Sequence, residues 1–356
     1  MTDTFETPAD PRTDRPGPPD LARPYEVIVV GGGAAGLSAA LVLGRARRRT
    51  LVVDAGEPRN APSPHMQGYL TRDGMPPAEF LALGRAEVAH YDDVDQLKDR
   101  AVDITRNDGP TTGTRNHGAT TGTATATATG FTVTLESGRT ASARRLIITT
   151  GLKDQLPPLP GLAARFGKDV LHCPYCHGWE VRDRAFGVLA TSALSVHQAL
   201  MVTQWSPDVT FFLHTVDETE LSDQDLRRLA AAGVKVVPGE VAEVLTADDG
   251  PTGVRLTGVR LADGTVHDRE VLFTAPRPVP RTGLLERLGA RLTETPFGAY
   301  AEVDPTGLTS VPGVYAAGNA MGFGEQVPHA VSGGYRAAAA LNGELLMTDL
   351  DTKITT

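Results

Sequence analysis

The chain has 356 residues, enough for two domains with a core each. Its formal net charge of −9 argues against nucleic acid or an anionic membrane as the main partner. No apolar run approaches the length of a membrane span. The first residues carry charge with no apolar segment after them, so a secretory leader is not expected and a cytoplasmic location is.

Residues 1–23, rich in Pro, Asp, Thr and Arg, read as a disordered tail. Val27-Ile28-Val29-Val30 is a short apolar run of the kind a buried parallel strand shows. Gly31-Gly32-Gly33-Ala34-Ala35-Gly36 follows, then an apolar helix from Leu37 and a second strand, Arg49 to Asp54, that ends in an acid. Strand, Gly-x-Gly-x-x-Gly, helix, strand, acid is the dinucleotide-binding order. Gly31, Gly33 and Gly36 permit a tight turn and close approach of a pyrophosphate to a helix N-terminus, and Asp54 holds a ribose hydroxyl.

A polar loop runs from Gly56 past Arg59, Asn60 and His65 to Gly74, and Pro76-Pro77 opens a helix. The Thr/Ala-rich stretch 106–130 reads as a loop within a β-meander. Phe131 to Leu135 alternates like a strand; Leu146 to Gly151 is a buried one, reaching Thr150 and Gly151. Residues 155–161 read as a linker.

The only two cysteines stand in His172-Cys173-Pro174-Tyr175-Cys176-His177-Gly178-Trp179. A Cys-x-x-Cys pair closes a small redox-active ring, and flanking imidazoles favour the thiolate that does the chemistry. Two buried structural thiols are the bland alternative. A zinc site built from both cysteines with His172 and His177 would be an unusually tight cluster. His177 titrates near neutrality beside the pair and is the expected base; the alternative is a histidine facing solvent at a helix start. His172 reads as a packing residue. Tyr175 and Trp179 suit either a substrate-pocket wall or core packing. His329 is either a site residue or a helix cap.

Phe186 to Leu189, a helix from Val196, and Val209 to Leu213 repeat the nucleotide-binding topology. Its turn is Ala190-Thr191-Ser192-Ala193-Leu194-Ser195, whose side chains would crowd a pyrophosphate. Where an NADP site wants arginines, Asp217 and Glu218 stand. The second dinucleotide site therefore reads as decayed. Pro276 to Pro280 reads as the return crossing. Thr309 to Asn319 is a strand ending in Gly318-Asn319, followed by Glu325-Gln326-Val327 and a small-residue helix over 330–345.

With these motifs in view, the chain resembles the thioredoxin reductase-like flavoproteins from Tyr25 to about Leu346. The marks are the glycine turn with Asp54, the Thr149-Thr150-Gly151 strand end, the Cys-x-x-Cys in the inserted domain, and the run ending Pro-Gly-Val-Tyr-Ala-Ala-Gly-Asn. The resemblance implies an α/β fold of two Rossmann-like domains, the second inserted in the first. It divides the chain into an FAD-binding domain over 24–153 and 277–347, a Cys-x-x-Cys domain over 154–276, and a tail over 348–356. It implies FAD held by Gly31, Gly33, Ala34, Ala35, Gly36, Asp54, Arg59, Asn60, Thr150, Gly151, Gly318, Asn319, Gln326 and Val327, with no metal. In the reductases an acid stands where His177 stands here, and an aspartate where Asn319 does.

The run Cys-Pro-Tyr-Cys-His-Gly-Trp-Glu is more similar to the flavin-dependent dithiol oxidases that close disulfides in gliotoxin- and holomycin-type natural products. This implies a small-molecule dithiol as substrate, Cys173, Cys176 and His177 as the catalytic set, oxygen as electron acceptor with peroxide released, and a homodimer. A thioredoxin-disulfide reductase using NADPH or another donor is the rival reading. A flavin-bound redox sensor is a non-enzymatic one.

Overall fold

The computed structural model describes residues 19–107, 130–250 and 253–355. A seven-stranded sheet forms the first unit. Its parallel part runs, in spatial order, Val94–Lys98, Thr50–Asp54, Tyr25–Val30, Thr140–Ile148 and Val314–Ala316. The central strands are nearly all apolar because both faces are covered. One face packs on the helices Ala34–Arg45 and Val327–Thr355, the other on residues that include Leu285 and Val311. An antiparallel meander, Ala101–Asn107, Gly130–Leu135 and Thr140–Ile148, extends this sheet. The Thr/Ala-rich loop expected inside it lies, apart from its ends, outside the described residues.

The second unit is a five-stranded parallel sheet in the order Lys235–Val237, Val209–Phe212, Phe186–Leu189, Val271–Thr274, Val170–Leu171, with a three-stranded antiparallel layer beside it. The expected return crossing is more ordered than the sequence suggests, whereas the expected linker is irregular beyond Gln155. Leu152–Gln155 and Arg277–Pro280 pair antiparallel, a two-stranded ribbon joining the units. Two prolines are tolerated there because the ribbon has free edges.

The ends of the chain also depart from expectation. Of the N-terminal tail, residues 19–23 are described, and Leu21 packs against the core. The segment expected as a tail from residue 348 is helix as far as Thr355. Asp349 accounts for this: it pairs with Arg144 at 2.6 Å and Arg48 at 3.1 Å, fixing the helix to the sheet.

Candidate active site

The turns after neighbouring strands converge, as they do at the carboxyl edge of an open α/β sheet. Gly31 has φ +107, a left-handed conformation that favours glycine. The Thr149 hydroxyl donates to Val30 O at 3.0 Å and Gly31 O at 2.8 Å, tying the turn to the neighbouring strand. Gly36 packs on the Gly31 carbonyl, where a side chain would overlap backbone. Gly33 differs: a Cβ there would meet nothing within 4 Å. It caps the helix Ala34–Arg45 without a side-chain hydrogen bond, so the helix's first N–H groups open into free space.

That space is a cavity of 1110 Å³, reaching from the glycine turn to the redox pair. Gly31, Gly33, Ala34, Ala35, Asp54, Arg59, Asn60, Thr150, Gly151, Gly318, Asn319, Gln326 and Val327 line it, as do Cys173, Cys176 and His177. Of the expected site residues Gly36 alone is behind the wall, packed against the turn. A long cleft with open N–H groups at one end, an acid beside them and a redox pair at the other suits a dinucleotide bearing a redox ring.

The far end is built by the second unit. Its edge strand Val170–Leu171 delivers His172 and Cys173, and Pro174 starts the single helical turn Pro174–His177. That turn brings the two Cα atoms to 5.2 Å, and the sulfurs are joined in a disulfide. His177 is not the solvent-facing residue of the bland reading. It lines the cavity, and burial pushes its imidazole below the ordinary value, so the neutral, proton-accepting form prevails at neutral pH. His172, expected as packing, lines the cavity too. Burial lowers its pKa, opposed by the nearby Asp154 carboxylate.

Tyr175 and Trp179 fit neither expected role. They project from the other side of the helical turn and are 71% and 64% exposed, Tyr175 edge-on to Trp205 and Trp179 beneath the Arg182 guanidinium. His65 and His329 are outside the cavity lining, on the surface.

Three features were not expected. Arg59 makes a two-pronged pair with Asp154 of the joining ribbon, at 2.8 and 2.9 Å, and its other nitrogen donates to Phe323 O and Asn319 Oδ1. Asn319 in turn donates to Gly322 O and Phe323 O. An arginine in a polar loop and an aspartate in a strand carry no spacing signal that marks them as partners. Glu325, half-buried in the lining, has its pKa raised by burial. Gln326 turns its carboxamide onto the redox sulfurs.

The second dinucleotide turn is closed. Thr191 N donates to Ser195 Oγ at 3.0 Å, and Thr191 Oγ1 to Ala275 O at 3.1 Å. Asp217 caps the short helix Glu218–Glu220 by accepting from Thr219 N, and Glu220 accepts from Asp217 N.

The family model for pyridine nucleotide-disulphide oxidoreductases matches residues 25–334. The chain belongs to this family. Within it, it is thioredoxin reductase-like, a flavin-dependent thiol/disulfide oxidoreductase. Thioredoxin reductase sirT of Leptosphaeria maculans is 32% identical across 92% of this chain and 96% of its own length. Thioredoxin reductase tcpT of Claviceps purpurea is 31% identical across 90% and 94%. The crystal structure of HlmI superposes with a TM-score of 0.83 at 43% identity, covering 93% of this chain and 96% of that one. That of an oxidoreductase from Agrobacterium tumefaciens gives 0.78 at 34% identity, covering 91% and 99%.

Proposed function

We propose that the protein is an FAD-dependent dithiol oxidase that closes a disulfide in a small-molecule dithiol. The cavity would hold FAD, with the N–H groups behind Gly33 taking its pyrophosphate, Asp54 a ribose hydroxyl, and Arg59, Asn60, Thr150, Gly151, Gly318, Asn319 and Val327 lining the rest. Bound there, it would supply a two-electron acceptor for the reduced cysteine pair, with oxygen as the final acceptor and peroxide as the product.

The chain's own residues handle the sulfur chemistry. A substrate thiolate attacks Cys173 Sγ and Cys176 leaves, giving a mixed disulfide. The second substrate thiolate closes the product and releases Cys173. Each attack needs a deprotonated thiol, and neutral His177 beside the pair takes the proton. The Arg59–Asp154 pair supplies the neighbouring charges.

The observation that carries this reading is the closed turn at residues 190–195. In an open turn the backbone N–H groups face a nicotinamide dinucleotide's pyrophosphate. Here Ser195 takes the N–H of Thr191. Asp217, whose ionised form is favoured by its hydrogen bonds from Thr219, and Glu218 stand where arginines would meet a 2′-phosphate. The relatives named thioredoxin reductase favour a second reading, a reductase fed by NADPH or another donor.

The same proposal makes the two units an FAD-binding domain over 24–153 and 277–347 and an inserted domain over 154–276, joined at the two-stranded ribbon. It makes the protein a homodimer in the cytoplasm. The exposed Leu346, Met347, Leu350 and Ile354 along one side of the last helix support a second copy as partner. The test is turnover. A small dithiol in air should consume one oxygen and yield one peroxide per disulfide formed, without a nicotinamide. A rate that requires NADPH and thioredoxin decides for the reductase.

A further inference from the structure

Gln326 stands at the start of the long C-terminal helix, on the cofactor side of the cavity, and reaches across to the other unit. Its Oε1 lies 3.6 Å from Cys176 Sγ and its Nε2 3.9 Å from Cys173 Sγ. One carboxamide therefore spans both redox sulfurs. Against a closed disulfide these contacts are weak, because neither sulfur has a proton to give and both are poor acceptors. Reduction changes that. A thiolate is a charged acceptor, and hydrogen bonds to charged groups are roughly twice as strong as neutral ones.

A carboxamide is suited to two sulfurs that take turns. It carries donors at one end and an acceptor at the other, on a terminal torsion that is broad and roughly two-fold. A half-turn exchanges the ends without moving the rest of the side chain. The titratable and charged groups around the pair are His172 and His177 on its own segment, with Arg59 and Glu325 from the other unit and Asp154 from the joining ribbon. None of them presents both a donor and an acceptor to the two sulfurs in this way.

We propose that Gln326 is a catalytic residue that donates its amide N–H to whichever sulfur carries the negative charge, and that it accepts from the Cys176 thiol once Cys173 becomes the thiolate. In the first exchange the Cys173–Cys176 bond breaks, a bond forms between Cys173 and the substrate sulfur, and Cys176 leaves with the electron pair. The amide N–H faces Cys176. In the second, the substrate's own S–S bond forms, the bond to Cys173 breaks, and Cys173 leaves with the electron pair. The amide N–H then faces Cys173. The substrate is oxidised by two electrons and the pair reduced by two. The two protons the substrate thiols lose are matched by two gained when the cysteine thiolates are neutralised.

This order of steps rests on the dithiol reading, but the effect on thiol acidity is measured without turnover. Two single-cysteine holoproteins are used, Cys176→Ser, which keeps Cys173, and Cys173→Ser, which keeps Cys176. The pH dependence of alkylation by iodoacetamide gives the midpoint of each thiol. Adding Gln326→Leu should raise both midpoints by about one pH unit, a tenfold loss of thiolate below the midpoint. Gln326→Met replaces it if the leucine variant does not fold. A shift at one sulfur only means a fixed contact and overturns the switching role; no shift at either overturns the proposal altogether. A protein that shows both shifts but oxidises no dithiol sinks the functional reading and leaves the role of Gln326 on the sulfurs standing.

Discussion

Replacing Gly33 by alanine separates folding from cofactor binding. Gly33 sits at φ −75, a conformation open to any residue, and a methyl there meets no protein atom within 4 Å. The folded protein should lose only the difference between glycine and alanine as an N-cap, roughly 0.5–1 kcal/mol. The methyl instead enters the space where a pyrophosphate must approach the helix N-terminus. Overfilling a packed contact costs about 1–3 kcal/mol, which weakens FAD binding by roughly 5- to 150-fold. Gly36→Ala should do the reverse. Its methyl overlaps the Gly31 carbonyl, so the cost falls on the fold with or without FAD. The assay is titration of the apoprotein with FAD, followed by flavin fluorescence, alongside urea melts of each apoprotein. If Gly33→Ala binds FAD as tightly as the parent, the turn is not the pyrophosphate cradle. If Gly36→Ala melts like the parent, Gly36 is not packed against the Gly31 carbonyl.

Three further outcomes follow from the site. Cys176→Ser should trap a mixed disulfide between Cys173 and substrate, whereas Cys173→Ser should trap none, as intact-protein mass spectrometry will show; trapping on Cys176 reverses the assignment. His177→Gln should lower the rate of thiol exchange by roughly 100- to 1,000-fold. Burial depresses the His177 pKa, so the acid limb of the parent's kcat/KM profile should fall at a lower pH than an exposed histidine gives, and disappear in the variant. Arg59→Leu leaves the Asp154 carboxylate, 12% exposed, without its partner in the joining ribbon. The partial exposure of both groups moderates the loss to roughly 2–3 kcal/mol, read as a lower urea midpoint.

Much of this site is written in local order. The glycine turn, Asp54, the Cys-x-x-Cys and Gly318-Asn319 each announce themselves by spacing, because strand, turn and helix must follow within a few residues for a phosphate to be held. Their convergence on one cavity comes from the parallel sheets, whose carboxyl edges collect such turns. The illegible parts depend on residues far apart in sequence. The Arg59–Asp154 pair and the reach of Gln326 to Cys173 and Cys176 join segments with no shared motif. Tyr175 and Trp179 read as pocket or core because aromatic rings are usually buried. In a single helical turn, however, Cys173 and His177 share the side facing the cavity and leave these two rings the other. The continuation of the last helix to Thr355 rests on Asp349 finding Arg48 and Arg144, which only the folded sheet brings near.

In the proposed reaction electrons enter from a small dithiol and not from a nicotinamide. The direct measurement is the anaerobic absorbance of the flavin in the purified holoprotein after rapid mixing with each donor. A small dithiol should bleach the flavin, and admitted air should restore the colour with release of peroxide. NADPH and NADH should leave it oxidised over the same time, because the turn at residues 190–195 is closed by Ser195. Rapid anaerobic bleaching by micromolar NADPH would make the protein a reductase instead.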